Sequence, residues 1–397
     1  MHFFPHFPLH VNAIALFGLT LLLGVLSGEL IKRISYLPAI SGYMLVGFIA
    51  GPHVSNIVTS YVLSDMRLFV DISLGLILFD LGRHLNFTWL KHDRGIIKMS
   101  IAESLLTFFA VFGVLIFFKQ PFIYAALGAT IAISTSPAVV MMIASDLSAK
   151  GPVTRRTLIL TSLNNFIGLS FFILLLPMTQ NESFAMNLAH AVYRLFGSVI
   201  LGIILFFMTS FIAYLIGKRQ ENQFVLFVGA VIFAIGLADL LNLSSMFVLF
   251  TLGVAARNFD YKNLLTEIDF EWIARLFFIV LFVVLGVQLQ LNGLWQATWI
   301  VLAFLAARTI AKACGIWLFY RSSRLTKQQA FALCLSLVPM AGVAIGMSNI
   351  IIDFNPKFGQ QLIVVVSAVV AILNIIGPIT TQVAFIRSHE AAVENQE

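Results

Sequence analysis

Apolar runs of membrane-spanning length follow one another along nearly the whole chain, and this feature leaves few folds open. A run of about 18 or more apolar residues crosses a bilayer as a helix, because lipid offers no partner for an exposed backbone group. Allowing shorter, broken runs, thirteen are readable: 11–31, 37–56, 66–85, 99–118, 122–145, 157–178, 192–217, 223–241, 244–256, 272–290, 296–320, 329–352 and 360–386. Composition agrees, since 11% of residues are charged and the mean hydropathy is +0.97, where a soluble domain needs roughly a quarter charged. The expected fold class is an all-α polytopic membrane protein of about thirteen transmembrane helices.

Charge placement gives an independent check. With the N-terminus outside, 17 of the 24 basic residues fall at inner ends, among them Lys91, Arg94, Lys98, Arg155 and Arg156. Only Arg67, Lys119, Arg194 and Lys357 fall at outer ends. This obeys the positive-inside rule. The expected location is the inner (plasma) membrane of the cell, multi-pass, with the N-terminus outside and the C-terminus cytoplasmic. The formal net charge of +6 then reflects orientation and implies no nucleic-acid partner. No polar stretch is long enough for a soluble domain, and the first run lacks a preceding basic segment, so it reads as retained. Cys314 and Cys334 lie inside runs and imply no disulfide. His2, His6 and His10 sit in a short terminus without the fixed geometry that a metal site needs. No nucleophile-and-base or metal-ligand spacing occurs, so the chain reads as neither an enzyme nor a cofactor binder.

An internal repeat is also readable. Leu37, Gly47 and Ala50 of the second run match Leu243, Gly253 and Ala256 of the ninth, while Leu81, Gly82 and Leu85 of the third match Leu285, Gly286 and Leu289 of the tenth. Pro137 in the fifth run and Pro339 in the twelfth keep nearly the same offset. An odd number of spans separates each pair, so the halves have opposite orientation. The expectation is one membrane transport domain over 1–397, with a first inverted repeat at 1–191, a connector helix at 192–221 and a second repeat at 222–397. Two discontinuous helices would cross between the halves, the pattern of a secondary transporter with a midplane site.

The breaks have a physical use. Ser134, Thr135 and Ser136 precede Pro137, which cannot donate a backbone hydrogen bond, so carbonyl and hydroxyl oxygens become available to a cation. Pro339 and Gly342 break the twelfth run with less polarity. The plainer alternative is a pair of proline kinks whose hydroxyls bond their own helices.

The segments LPAISGYMLVGFIAGP, LGLILFDLG, ALGATIAISTSPAVV, TLILTSLNNFIGL, LNLSSMFVLFTLGVAARN, FFIVLFVVLGVQLQL and LSLVPMAGVAIG, in this order, resemble the monovalent cation/proton antiporter superfamily, which includes bacterial sodium/proton and potassium/proton exchangers. The resemblance implies exchange of Na+ or K+ for H+ by elevator-type alternating access. It further implies a homodimer in the lipid bilayer, joined through spans one to three and eight to ten. In that superfamily an aspartate after the first break ligates the cation and carries the proton. Here the pattern lands on Asn164-Asn165, and an amide ligates but does not titrate. Thr135, Ser136, Asn164 and Asn165 are therefore the expected ion ligands.

Proton coupling needs another group. Arg308 and Lys312 share a face of the eleventh run, and the superfamily keeps a basic residue in this helix to pair with the core carboxylates. With asparagine as its expected partner, Lys312 would be unpaired, and a desolvated lysine can become a proton carrier. Snorkelling to the inner interface and anion binding remain alternatives for this pair, and the latter would make the protein an anion carrier. Glu103 is the first candidate for a displaced proton carrier, although such acids more often reach headgroup water. A transporter-shaped protein without proton exchange (a uniporter, sensor or channel-like subunit) is the other function class. Apart from function, the asparagines also read as a bland pair of interhelical hydrogen bonds, worth about 1 kcal/mol each.

Overall fold

The computed structural model describes residues 13–33, 37–52, 54–55, 58, 66–180, 182–217, 220–260, 271–288, 298–354 and 356–391. His2, His6 and His10 lie outside them. All regular structure among the described residues is helical. In chain order the helices are α1 (Ala13–Lys32), α2 (Ala39–Ala50), α3 (Arg67–Arg83), α4 (Phe87–His92), α5 (Arg94–Phe117), α6 (Phe122–Ile133), α7 (Pro137–Asp146) and α8 (Pro152–Leu175). They continue as α9 (Phe184–Ile216), α10 (Gln220–Leu240), α11 (Ser245–Phe259), α12 (Glu271–Val287), α13 (Thr298–Phe319), α14 (Lys327–Ser336), α15 (Gly342–Phe354) and α16 (Pro356–Arg387). Among the described residues, six stretches are long and apolar enough to cross a membrane: Arg94–Phe117, Phe122–Asp146, Pro152–Thr179, Phe184–Ile216, Thr298–Phe319 and Leu362–Arg387. Shorter apolar helices include Ala39–Ala50, Ser245–Phe259 and Leu276–Val287.

The helices pack in two sets. One joins α1, α2 and α12 to α3, α9, α10 and α11; the other joins α5, α6, α7 and α8 to α13, α14, α15 and α16. In the first set, glycines let backbones touch. A methyl group on Gly47 of α2 would lie against the Val283 carbonyl and 3.0 Å from the Gly286 Cα of α12. One on Gly253 of α11 would lie against the Phe79 carbonyl and 3.1 Å from the Gly82 Cα of α3. Close approach through small residues is how helices associate where lipid is as apolar as a leucine side chain.

Apolar side chains cover both interior and surface. Along α9, Ala191, Ser198, Leu201, Leu205 and Ala213 are buried, while Phe196, Ile200, Ile204, Phe207 and Phe211 are exposed on the opposite face. A helix apolar all round suits lipid on one side and protein on the other. Polar residues run the other way. Ser100, Glu103, Ser104 and Thr107 line one face of α5, Thr157, Thr161, Asn164 and Asn165 line one of α8, and all eight are buried.

Candidate ion site

Two interruptions form the centre of the second helix set. α6 ends at Ile133, Ser134 and Ser136 are extended (φ −58°, ψ 140° and φ −69°, ψ 108°), and Pro137 opens α7 as its first residue. The Ser136 hydroxyl caps the new helix by accepting from the Val139 N–H at 3.4 Å. α14 stops at Ser336 and α15 restarts at Gly342, leaving Leu337–Ala341 outside either helix. The two breaks touch, since the Ser136 N–H donates to the Pro339 carbonyl at 2.9 Å. A methyl on Gly342 would stand 2.7 Å from Leu74 Cδ2 of α3, so this break also faces the first helix set.

Each break leaves helix carbonyls without intrahelical partners, and α13 supplies the donors. Arg308 is fully buried. Its Nε donates to the Ala132 carbonyl (3.0 Å), Nη1 to Val338 (2.8 Å), and Nη2 to Ser134 (2.9 Å) and Pro339 (3.4 Å). One planar guanidinium thus neutralises the negative ends of α6 and α14 together. One turn on, Lys312 Nζ donates to the Ile133 carbonyl (2.9 Å) and to Thr135 Oγ1 (3.2 Å).

Lys312 is not unpaired. Its ammonium also donates to the Glu103 carboxylate, with the two side chains 3% and 0% exposed. The plainer alternative for Glu103, a side chain that reaches headgroup water, is not met, because α5 begins at Arg94 and carries Glu103 more than two turns inside. Gly315 makes this meeting possible: a side chain there would collide with the Glu103 backbone, so α5 and α13 approach where Lys312 must reach across. By contrast Asp80 pairs with Arg83 at 3.6 Å at the end of α3, away from the breaks.

The asparagines face different neighbours. Asn164 Oδ1 accepts from the Ser100 and Ser104 hydroxyls at 3.0 and 3.3 Å, and its amide neighbours the Glu103 carboxylate. Asn165 Nδ2 donates to the Thr135 carbonyl at 2.7 Å and to the Thr161 carbonyl at 2.8 Å. Thr157 and Ser336 share a hydrogen bond of 2.7 Å, tying α8 to the end of α14. Several buried oxygens have no partner among the described residues: Asn165 Oδ1, Thr161 Oγ1, Glu103 Oε2 and Thr107 Oγ1. A native interior rarely leaves such atoms idle.

Thr135, Ser136, Asn164, Asn165, Glu103, Arg308, Lys312, Pro137 and Pro339 therefore converge on one region, with Gly342 at its edge. The sequence reading missed Ser100, Ser104, Thr157 and Thr161. The available signal was their spacing of three to four residues inside apolar runs, which sets them on one helix face. Chemically, this is a buried cluster of oxygen atoms around one carboxylate and two cationic side chains.

Residues 18–387 match the family model described as "Sodium/hydrogen exchanger, transmembrane". No curated protein sequence matches the chain. Among solved structures, the sodium proton antiporter MjNhaP1 from Methanocaldococcus jannaschii at pH 8 aligns over 95% of this chain and 95% of its own, with a TM-score of 0.69 and 19% identity. An electron-microscopy structure of the same antiporter aligns over 94% of each chain, with a TM-score of 0.70 and 18% identity. At these identities the likeness is one of fold. The family match covers nearly the whole length, and the chain belongs to the sodium/hydrogen exchanger family.

Proposed function

We propose that this protein exchanges sodium for protons across the membrane, and that its exchangeable proton resides on the Glu103–Lys312 pair. Family membership supports cation/proton exchange. The observation that carries the proton assignment is the buried contact of Lys312 with Glu103, Ile133 and Thr135 at the end of α6. Position 165 holds an amide and cannot titrate.

The charges dictate competition. While Lys312 keeps its proton, two cationic side chains face one carboxylate, and Lys312 occupies Glu103 Oε1 and Thr135 Oγ1. A sodium ion about 4 Å from that ammonium is repelled by roughly 4 kcal/mol at an effective dielectric of about 20. That is roughly a thousandfold in affinity. Once the pair loses its proton, Arg308 balances Glu103, and Glu103, Thr135, Ser136, Asn164 and Asn165 are left to ligate the cation through oxygen. Proton and sodium then exclude one another, which is the requirement for exchange. Potassium meets the same ligands, and cavity size decides between the two ions.

The wider reading has thirteen spans in two inverted repeats (1–191 and 222–397) around a connector at 192–221, with the C-terminus in the cytoplasm. The glycine contacts support it. The sequence repeat pairs Gly47 with Gly253 and Gly82 with Gly286, and under that operation the Gly47–Gly286 contact becomes the Gly253–Gly82 contact. An elevator motion of the α5–α8 and α13–α16 set past the other, in a homodimer of the inner membrane, fits the thin contact between the sets.

The test is dequenching of a pH-sensitive dye inside acid-loaded proteoliposomes on addition of sodium. The native chain is expected to collapse the gradient and Glu103→Gln to leave it intact. A native chain that leaves the gradient standing removes the exchange reading, and an active Glu103→Gln removes the proton assignment.

A further inference from the structure

Among the described residues, Asn374 is a buried polar group with neither side-chain atom partnered. It lies in α16, the residue 1% exposed, and neither Oδ1 nor Nδ2 has a hydrogen-bond partner among the described residues. Pro378, four residues on and inside the same helix, has no N–H to give to the Asn374 carbonyl. One residue thus combines an unpartnered amide with a main-chain oxygen that has lost its usual helical donor.

The location is specific. Three residues after Asn374, a methyl group on Gly377 would stand 2.8 Å from the Pro339 Cα, so α16 lies directly on the second break. Residues three apart share a helix face, which puts Asn374 one turn from that contact. Pro339 is also where the two breaks meet, through its carbonyl and the Ser136 N–H. In the first half Asn165 stands level with its own break, donating to the Thr135 carbonyl. Asn374 lies one turn from the other. Unlike Asn165 it makes no bond to backbone, so its amide holds nothing in place.

A buried, unbonded amide is destabilising relative to a bonded one. An apolar residue of similar size, such as the neighbouring Leu373, would avoid that cost. We propose that Asn374, through its side-chain oxygen and its main-chain carbonyl, is a second oxygen station for the transported sodium ion, on the α16 side of the crossing breaks. The inference rests on the sodium-transport reading but not on where the proton is carried. Oxygen donors without other partners suit a small hard cation, and a station one turn from the breaks would hold the ion as it enters or leaves the Glu103 cluster.

The experiment compares the native protein with Asn374→Leu and Asn374→Ser, using sodium chloride against choline chloride. Melting temperature without sodium, the sodium-induced rise in melting temperature, and KM and kcat for sodium-driven proton movement are all measured. Asn374→Leu is expected to melt no lower than the native protein without sodium, because it removes an unbonded buried amide. It is expected to raise the sodium KM about tenfold, the loss of one ligand contact, with kcat changed less than KM and a smaller sodium-induced shift. Asn374→Ser, which keeps an oxygen, is expected to recover part of the KM. The proposal is overturned if Asn374→Leu leaves KM and the sodium shift at native values. It is equally overturned if both variants lose melting temperature without sodium, because the amide then serves packing. A native protein that shows the sodium shift but moves no protons defeats the exchange reading while leaving this site to be judged by the shift.

Discussion

Lys312 of α13 donates to the carboxylate of Glu103 on α5, and protein surrounds both side chains. Removing one partner of such a pair strands the other charge, which costs about 3–5 kcal/mol, whereas replacing both with neutral residues of similar volume is close to neutral. Glu103→Gln and Lys312→Met are each expected to lower the melting temperature of the purified protein, and the double variant is expected to regain most of the loss. All three are expected to lose sodium-driven proton movement. Near-native exchange by the well-folded double variant would refute a proton carried on this pair.

Much of this site was legible in the sequence, and the illegible part has physical reasons. Pro137 and Pro339 marked the breaks because proline forfeits a helix bond wherever it falls, whatever surrounds it. The asparagine pair was found by its position after the first break. The partner of Lys312 was not, since 209 residues separate it from Glu103 and nothing local encodes the contact. Glu103 also looked close to the interface because the polar stretch ending at Lys98 hid five helical residues, so that α5 begins at Arg94 and not at 99. Arg308 was read as one of two basic residues on a face; its fork into four carbonyls depends on both breaks meeting at one point. Asn374 carried a readable signal, an amide four residues before a proline in an apolar run, that the sequence reading passed over.

Arg308 is expected to tolerate no conservative exchange. Its guanidinium serves carbonyls from both breaks, and a lysine ammonium has three donors on one atom and cannot span them. Each carbonyl left unpaired in the interior costs about 1–3 kcal/mol. Arg308→Lys therefore keeps the charge and loses the fold's centre: a marked fall in melting temperature and no transport. A fully stable, active Arg308→Lys would mean that charge alone is required.

Asn165→Asp is expected to change the coupling. Asn165 donates to two carbonyls, so an aspartate at this position keeps a hydrogen bond there only while protonated. The variant would release an additional proton each time sodium binds. Exchange by Asn165→Asp should respond to an imposed membrane potential more strongly than exchange by the native chain, read by the same dye under potassium diffusion potentials. Equal voltage responses would count against a second titrating site.

The far end of the chain secures the asparagine-bearing helix. Glu390 is buried and accepts from the Val153 N–H and the Thr154 N–H at 2.7 Å each and from the Thr154 hydroxyl at 2.8 Å, while the Lys150 N–H donates to its carbonyl at 2.9 Å. A carboxylate at a helix N-terminus satisfies orphan donors and complements the dipole. Glu390→Ala is expected to cost about 1–2 kcal/mol and to speed amide hydrogen exchange at Val153 and Thr154 before other core amides. Unchanged protection at those two amides would show that the cap is dispensable.

Two kinds of glycine in the first helix set should respond with opposite sign. At Gly253 a side chain would collide with the Phe79 carbonyl and crowd Gly82, all main-chain atoms that cannot turn aside. Separating α3 from α11 to admit it is a form of overpacking, which costs about 1–3 kcal/mol or more. At Gly229 and Gly236 of α10 an added methyl meets nothing within 4 Å, so alanine gains helix propensity of about 1 kcal/mol without a clash. Gly253→Ala is therefore expected to melt lower, and Gly236→Ala the same or higher, in thermal unfolding of the detergent-solubilised protein. Because both glycines lie in apolar helices, a general intolerance of alanine would lower both. The predicted divergence requires that backbone contact at Gly253 holds α11 to α3.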